Sequence, residues 1–135
     1  MSEECDLKCK VVLIGESGVG KTSIFSRYIE NRFEHETNST VTASFLKKYE
    51  KFNNKLIEID VWDTAGQEQY RSFTNLFYKN AKIVLLVYDT TNRKSFDNIK
   101  NYWYKQVKEN TIENADKFII NLLLFYNYSY WNCRK

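Results

Sequence analysis

Proline is absent from the 135 residues, histidine occurs once as His35, and glycine occurs only 4 times. The lack of proline excludes proline-rich linkers and polyproline ligands. The 3 cysteines, Cys5, Cys9 and Cys133, form no CxxC pair and no cluster with His35. A disulfide framework and a structural zinc site are therefore excluded. A Ser-His-Asp or Cys-His hydrolase would have to use His35, which sits in a polar, irregular stretch unsuited to that task. The N-terminus, Met1 to Asp6, is acidic and has no apolar run, unlike a signal peptide. The longest mostly apolar run, Phe118 to Tyr126, is too short for a bilayer, which takes about 20 residues. The expected location is cytoplasmic. A net charge of +3 without any Lys/Arg block gives no nucleic-acid signal.

What is present suits one globular domain. Hydrophobic residues make up 43% and charged residues 27%, outside the disordered range. The 4 glycines fall at two places: Gly15, Gly18 and Gly20 together, and Gly66 in Asp63-Thr64-Ala65-Gly66. Glycine is needed where backbone takes positive φ or approaches a ligand closely. Two sites are therefore expected where backbone faces something small.

Hydropathy patterning places those sites. Lys10 to Ile14 reads as a strand buried on both faces. Residues 21–31 read as a helix, with Ile24, Phe25, Tyr28 and Ile29 on one face. Ser44 to Phe52 and Leu56 to Trp62 read as a hairpin around Asn53-Asn54, with Glu58 and Asp60 on its wetter face. Ala81 to Tyr88 is a second buried strand. Ser95 is the expected cap of a helix over 96–109, with Phe96, Ile99, Trp103 and Val107 on one face. Phe118 to Phe125 is the last expected strand. The order implies an α/β fold with a mostly parallel sheet and one antiparallel hairpin.

Two motifs carry chemistry. Gly15-Glu16-Ser17-Gly18-Val19-Gly20-Lys21-Thr22 matches GxxxxGK[ST] between an expected strand and an expected helix. In such a loop successive N–H groups turn inward as an anion nest, and the helix adds its positive end. Lys21 would place a charge between two phosphates, and the Thr22 hydroxyl suits Mg²⁺. The second motif is Trp62-Asp63-Thr64-Ala65-Gly66-Gln67-Glu68. Asp63 ends a strand where a magnesium-holding carboxylate belongs. Gly66 would let an N–H approach a terminal phosphate. The Gln67 amide offers donor and acceptor together, suited to orienting a water.

Together GESGVGKT and WDTAGQE resemble the small Ras-like GTPases. Leu56 to Trp62, Tyr70-Arg71-Ser72-Phe73-Thr74, Phe77 to Ala81 and Leu86 to Thr91 resemble the Rab branch, over about Cys9 to Lys117. Thr42-Ala43-Ser44-Phe45-Leu46 is similar to the endocytic Rabs, with Thr42 where a glycine is common. The resemblance implies a P-loop G domain binding GTP/GDP with Mg²⁺ and hydrolysing GTP as a switch in vesicle traffic. It implies nucleotide contacts from Gly15 to Ser23, Phe33 against the base, Thr40 on magnesium and phosphate, and Gln67 as the catalytic residue. Thr22, Thr40 and Asp63 would hold the metal, and Phe45, Trp62 and Tyr78 would meet effectors. Exchange factors, activating proteins and effectors are the implied partners of a monomeric chain.

The tail departs from the family. Where the family carries Asn-Lys-x-Asp to read guanine, this chain has Asn121-Leu122-Leu123-Leu124-Phe125, and no Lys or Asp follows Asn121 or Asn127 in that pattern. Cys133 is followed by Arg134-Lys135, which matches no prenylation signal, so no membrane anchor is expected in this chain. The expected organisation is a short tail (1–7), a partial G domain (8–120) missing the last strand and helix, and a non-family tail (121–135). The alternative is a non-catalytic chain that lacks guanine selectivity and is unstable or only binds partners.

Overall fold

The computed structural model describes residues 5–32, 43–64, 77, 79–110 and 116–122. Strand β1 spans Leu7–Ile14, helix α1 Lys21–Glu30, β2 Ser44–Phe52, β3 Lys55–Asp63 and β4 Ile83–Asp89. Helix α2, Arg93–Asn98, runs through a π turn at Ile99–Trp103 into α3, Tyr104–Asn110; β5 covers Asp116–Leu122. The five strands lie in the order β2-β3-β1-β4-β5. Only β2 and β3 pair antiparallel; β3·β1, β1·β4 and β4·β5 are parallel. This is the expected mostly parallel sheet with one antiparallel hairpin.

The hairpin forms where its turn chemistry demands. Asn53 and Asn54 both take positive φ, 49° and 61°, the conformation of a two-residue type I′ turn. Its register places Phe45 opposite Trp62, Lys47 opposite Asp60 and Tyr49 opposite Glu58.

Because β1 and β4 carry apolar residues on both faces, the sheet is covered on both sides. On one side Val12, Ile14, Val84 and Leu86 pack with Ile99, Trp103 and Val107 of the second helical segment. On the other, Leu13, Val61 and Val87 pack with Val19 and Phe25. Burying each such side chain contributes roughly 1.5–3 kcal/mol. This fixes both helices against β1, the strand that positions the glycine loop.

Three expectations are corrected. Tyr28 is not on the buried face of α1: it is 40% exposed, with the Lys48 ammonium 4.1 Å above its ring. Ile24, Phe25 and Ile29 meet the core; Tyr28 instead turns to β2, whose Lys48 also donates to the Tyr28 carbonyl at 3.0 Å.

The second helix starts before Ser95. Asn92 is the cap, its side chain accepting from the Ser95 N–H. Ser95 is instead a buried third-position residue whose hydroxyl donates to the Asn92 carbonyl at 2.7 Å and accepts from the Asp89 N–H at 3.0 Å. The helix is also not uniform. The Tyr104 N–H bonds the Ile99 carbonyl, an i→i−5 link. The buried residues Ser95, Ile99, Trp103 and Val107 recur every four positions. In a pure α-helix that spacing drifts by about 40° per step, carrying the stripe off the sheet. A wider π turn rotates less per residue and brings Trp103 and Val107 back to the core.

The third concerns β3. Glu58 is not on a wet face but buried at 5% exposure. Its carboxylate accepts from Lys47 Nζ at 2.6 Å and from the Tyr49 hydroxyl at 3.0 Å, and Lys8 lies 3.5 Å away. The Lys47 hydrogen bond holds the carboxyl below its ordinary pKa. The pattern of alternation marks which face a residue is on; cross-strand partners decide whether water reaches it.

Candidate functional site

In a sheet ordered β2-β3-β1-β4-β5, the connection from β1 runs to the β2–β3 side and that from β4 to β5 on the other side, so the crevice lies at the carboxyl ends of β1 and β4. The segment from Gly15 to Gly20 leaves β1 at that point and feeds α1. Gly15, Gly18 and Gly20 have φ of 148°, 77° and 95°. At Gly15 a side chain has no room: a Cβ would lie 2.2 Å from the Val87 carbonyl oxygen on β4. At Gly18 the opposite holds, with nothing within 4 Å of a Cβ. The loop is therefore wedged against β4 at its start and open at its crest, a backbone cradle for a small anion.

Lys21 begins α1 and folds back under this loop. Its ammonium donates to the Gly15 carbonyl at 3.0 Å and the Glu16 carbonyl at 2.6 Å. The residue is only 5% exposed. Burial lowers its pKa from 10.5 to about 8, against the pull of Asp63 and Glu16. A buried cation facing an open backbone cradle is a site short of negative charge.

Asp63 is the last residue of β3 and is fully buried. The Thr22 hydroxyl donates to its Oδ2 at 2.7 Å, joining the two sequence motifs. Its other oxygen, Oδ1, is buried without a hydrogen-bond partner among the described residues. Desolvation raises the Asp63 pKa; Thr22 and Lys21 oppose it. An orphaned carboxylate oxygen beside a threonine hydroxyl is a donor set that suits a hard, hydrated cation, and Mg²⁺ fits. Among the described residues no group of three His, Cys, Asp or Glu side chains is placed to hold a metal ion.

The structure thus brings Gly15, Glu16, Ser17, Gly18, Gly20, Lys21, Thr22, Ser23 and Asp63 to one end of the sheet. Val19 belongs to the same loop, but its side chain is a core residue at 2% exposure. Phe33, Thr40, Gly66, Gln67 and Tyr78 lie outside the described residues. Phe45 and Trp62 stack at 4.7 Å between ring centroids, and Trp62 meets Phe77 at 5.6 Å. Phe45 is 39% exposed, so this pair forms an aromatic surface beside the site.

Two contacts escaped the sequence. The buried Thr64 hydroxyl donates to the Leu13 carbonyl at 2.7 Å, tying the second motif to β1. Trp103 Nε1 donates to a Glu16 carboxylate oxygen at 2.8 Å. Thr64 was visible as part of its motif; nothing in the sequence signals a pair 87 residues apart.

Comparison with known proteins agrees with this arrangement. Residues 10–123 match the profile of the Ras family. Over 78 residues the chain is 50% identical to the Ras-related protein Rab-11B of Dictyostelium discoideum, covering 58% of this chain and 36% of that protein. It is 45% identical over 84 residues to the Ras-related protein RABA1a of Arabidopsis thaliana, covering 62% of this chain and 39% of the relative. Ras-related protein Rab-11A of Dictyostelium discoideum is 46% identical over 84 residues, with the same 62% and 39% coverage. The chain thus spans well under half the length of these curated relatives.

Proposed function

This chain belongs to the Ras family, on its Rab branch and Rab11-like, and from that membership we propose that it is a guanine-nucleotide switch of membrane traffic that binds GTP and hydrolyses it to GDP. The observation that carries the reading is the convergence of Lys21, Thr22 and Asp63 at the carboxyl end of β1. A buried ammonium, a hydroxyl and an orphaned carboxylate oxygen meet beside an open glycine crest.

In this reading the loop from Gly15 to Gly20 wraps the phosphates with backbone N–H groups, and Lys21 supplies the positive charge that neutralises them. Thr22, Thr40 and Asp63 would hold Mg²⁺, which would offset negative charge on the phosphates. Phe33 packs on the base. Gln67 orients the attacking water; the fixed ammonium and N–H groups stabilise charge that develops during hydrolysis. Intrinsic turnover of such a site is slow, and an arginine from an activating partner accelerates it by roughly 10³–10⁵. Phe45, Trp62 and Tyr78 form the face that effectors read, at cytosolic surfaces of endomembranes including endosomes. No helix among the described residues is long and apolar enough to cross a membrane.

Phosphate release from GTP by the purified chain tests this reading. Slow turnover that falls at least tenfold in Gln67→Leu, with nucleotide binding intact, is expected. Equal turnover in parent and variant would contradict the role of Gln67.

One observation favours a narrower reading. Residues 121–135 contain no Asn-Lys-x-Asp, the carboxylate pattern that reads guanine. A site without that polar contact rejects the wrong base weakly, since nothing is left unpaired by adenine. In this reading the chain holds magnesium nucleotide by its phosphates alone. ATP then competes with fluorescent GTP within about tenfold of unlabelled GTP. A preference of 10³ or more for GTP would reject it.

A further inference from the structure

The hydrogen bond between Trp103 and Glu16 joins two parts of the molecule that the proposed nucleotide chemistry does not require to touch. Trp103 is 1% exposed and closes the π turn of the second helix. Glu16 is the second residue of the glycine loop. Trp103 Nε1 donates to Glu16 Oε1 at 2.8 Å, and the backbone carbonyl of that same Glu16 accepts the Lys21 ammonium at 2.6 Å. A continuous chain therefore runs from the helix core through the Glu16 side chain and backbone to the phosphate-facing cation.

Each link depends on the previous one. The Tyr104→Ile99 backbone bond makes the π turn, and that turn sets the azimuth of Trp103. The indole belongs to the buried core cluster that includes Val12, Ile14, Leu86 and Val107, so its N–H has little freedom to follow a moving partner. Glu16 accepts a hydrogen bond to a charged oxygen, the stronger class. Apart from Glu16 itself and Val19, whose side chain is anchored in the core toward the far end of the loop in sequence, the loop consists of glycines and Ser17. A fixed Glu16 holds its own carbonyl, and so the Lys21 ammonium, in one place.

We propose that Trp103 is a positioning residue for nucleotide binding: through Glu16 it locks the glycine loop and Lys21 in the phosphate-ready arrangement, so that the π turn controls how fast nucleotide leaves. This rests on the phosphate-binding reading above. It adds that a helix outside the nucleotide site sets retention, and that any contact which rotates the π turn loosens the loop.

The test uses the full chain with fluorescent GDP and Mg²⁺, following dissociation after dilution into excess unlabelled GDP. Loss of one hydrogen bond to a charged group should speed release on the order of tenfold. Glu16→Leu and Trp103→Phe are both expected to show that change, Phe retaining an aromatic ring in the core. Glu16→Gln keeps an acceptor oxygen and should lose less than Glu16→Leu. The double variant Glu16→Leu/Trp103→Phe should release no faster than either single variant, because both remove the same link. Multiplicative effects in the double variant would overturn the proposal. So would release from Glu16→Leu at the parent rate, or equal losses in Glu16→Gln and Glu16→Leu. Should Trp103→Phe fail to fold, the Glu16→Gln and Glu16→Leu comparison decides alone. A parent chain that binds no nucleotide overturns the functional reading and this inference together; a parent that binds while Glu16→Leu behaves like it overturns only the inference.

Discussion

Replacing Gly15 by alanine should destabilise the nucleotide-free chain far more than the same change at Gly18. Both residues have positive φ, 148° and 77°, so an L side chain is strained at each. That strain costs of order 1–3 kcal/mol per position. Only Gly15 adds a collision. Its Cβ would stand 2.2 Å from the Val87 oxygen and 3.2 Å from the Val87 carbonyl carbon, both backbone atoms of a buried strand. Backbone in the middle of a sheet cannot swing aside as a flexible side chain does, and overpacking of this kind costs roughly a further 1–3 kcal/mol. Gly15→Ala should therefore lose about 2–6 kcal/mol, and Gly18→Ala only the strain. Urea unfolding of both variants, compared at equal slope, reads the difference as a shift of midpoint. Equal midpoints for the two variants, or a Gly15→Ala loss under about 1 kcal/mol, would refute the claim that the loop is wedged against β4.

Two further outcomes follow from the buried charges. Burial lowers the folded-state pKa of Lys21 from 10.5 to about 8, so the unfolded chain binds the proton more tightly. The charged ammonium is then a cost of folding that is present below about pH 8 and relieved as pH rises toward 10.5. The nucleotide-free chain should gain up to about 3 kcal/mol over that window relative to Lys21→Met, in denaturant titrations at stepped pH. Parallel pH profiles for the two chains would contradict the burial of a charged Lys21. Asp63→Asn keeps an oxygen to accept from Thr22 and removes a charge whose Oδ1 has no partner among the described residues. Its folding stability should stay within about 1 kcal/mol of the parent or rise, while magnesium no longer strengthens GTP binding in calorimetry with and without chelator. Undiminished magnesium dependence would remove Asp63 from the metal site.

Features set by local chemistry were legible in the sequence. Asn53-Asn54 between alternating runs specified a tight hairpin, since few residues accept two consecutive positive φ values. The apolar run Val11 to Ile14 followed by the glycine loop specified a buried strand feeding a helix, and hence where an anion would sit. Glu58 and the second helix were misread because distant partners decide them. Alternation put Glu58 on a polar face, but Lys47 and Tyr49 from β2 cover it. Ser95 looked like a cap by residue type, yet Asn92 three residues earlier takes that role and frees Ser95 to tie the helix to Asp89. The π turn arises from four-residue spacing over three steps, too long a run to stay on one α-helical stripe. The Trp103–Glu16 bond has no local signature at all. The family resemblance was legible from the two motifs together: Thr22, at the start of the helix that follows β1, meets Asp63 at the end of β3 because β1 and β3 are neighbouring parallel strands.

The most direct measurement is calorimetry of MgGTP with the parent chain and Lys21→Ala. If the ammonium under the glycine loop grips the phosphates, the parent binds and Lys21→Ala loses at least a hundredfold in affinity while remaining folded. Equal affinity in the two chains would contradict it.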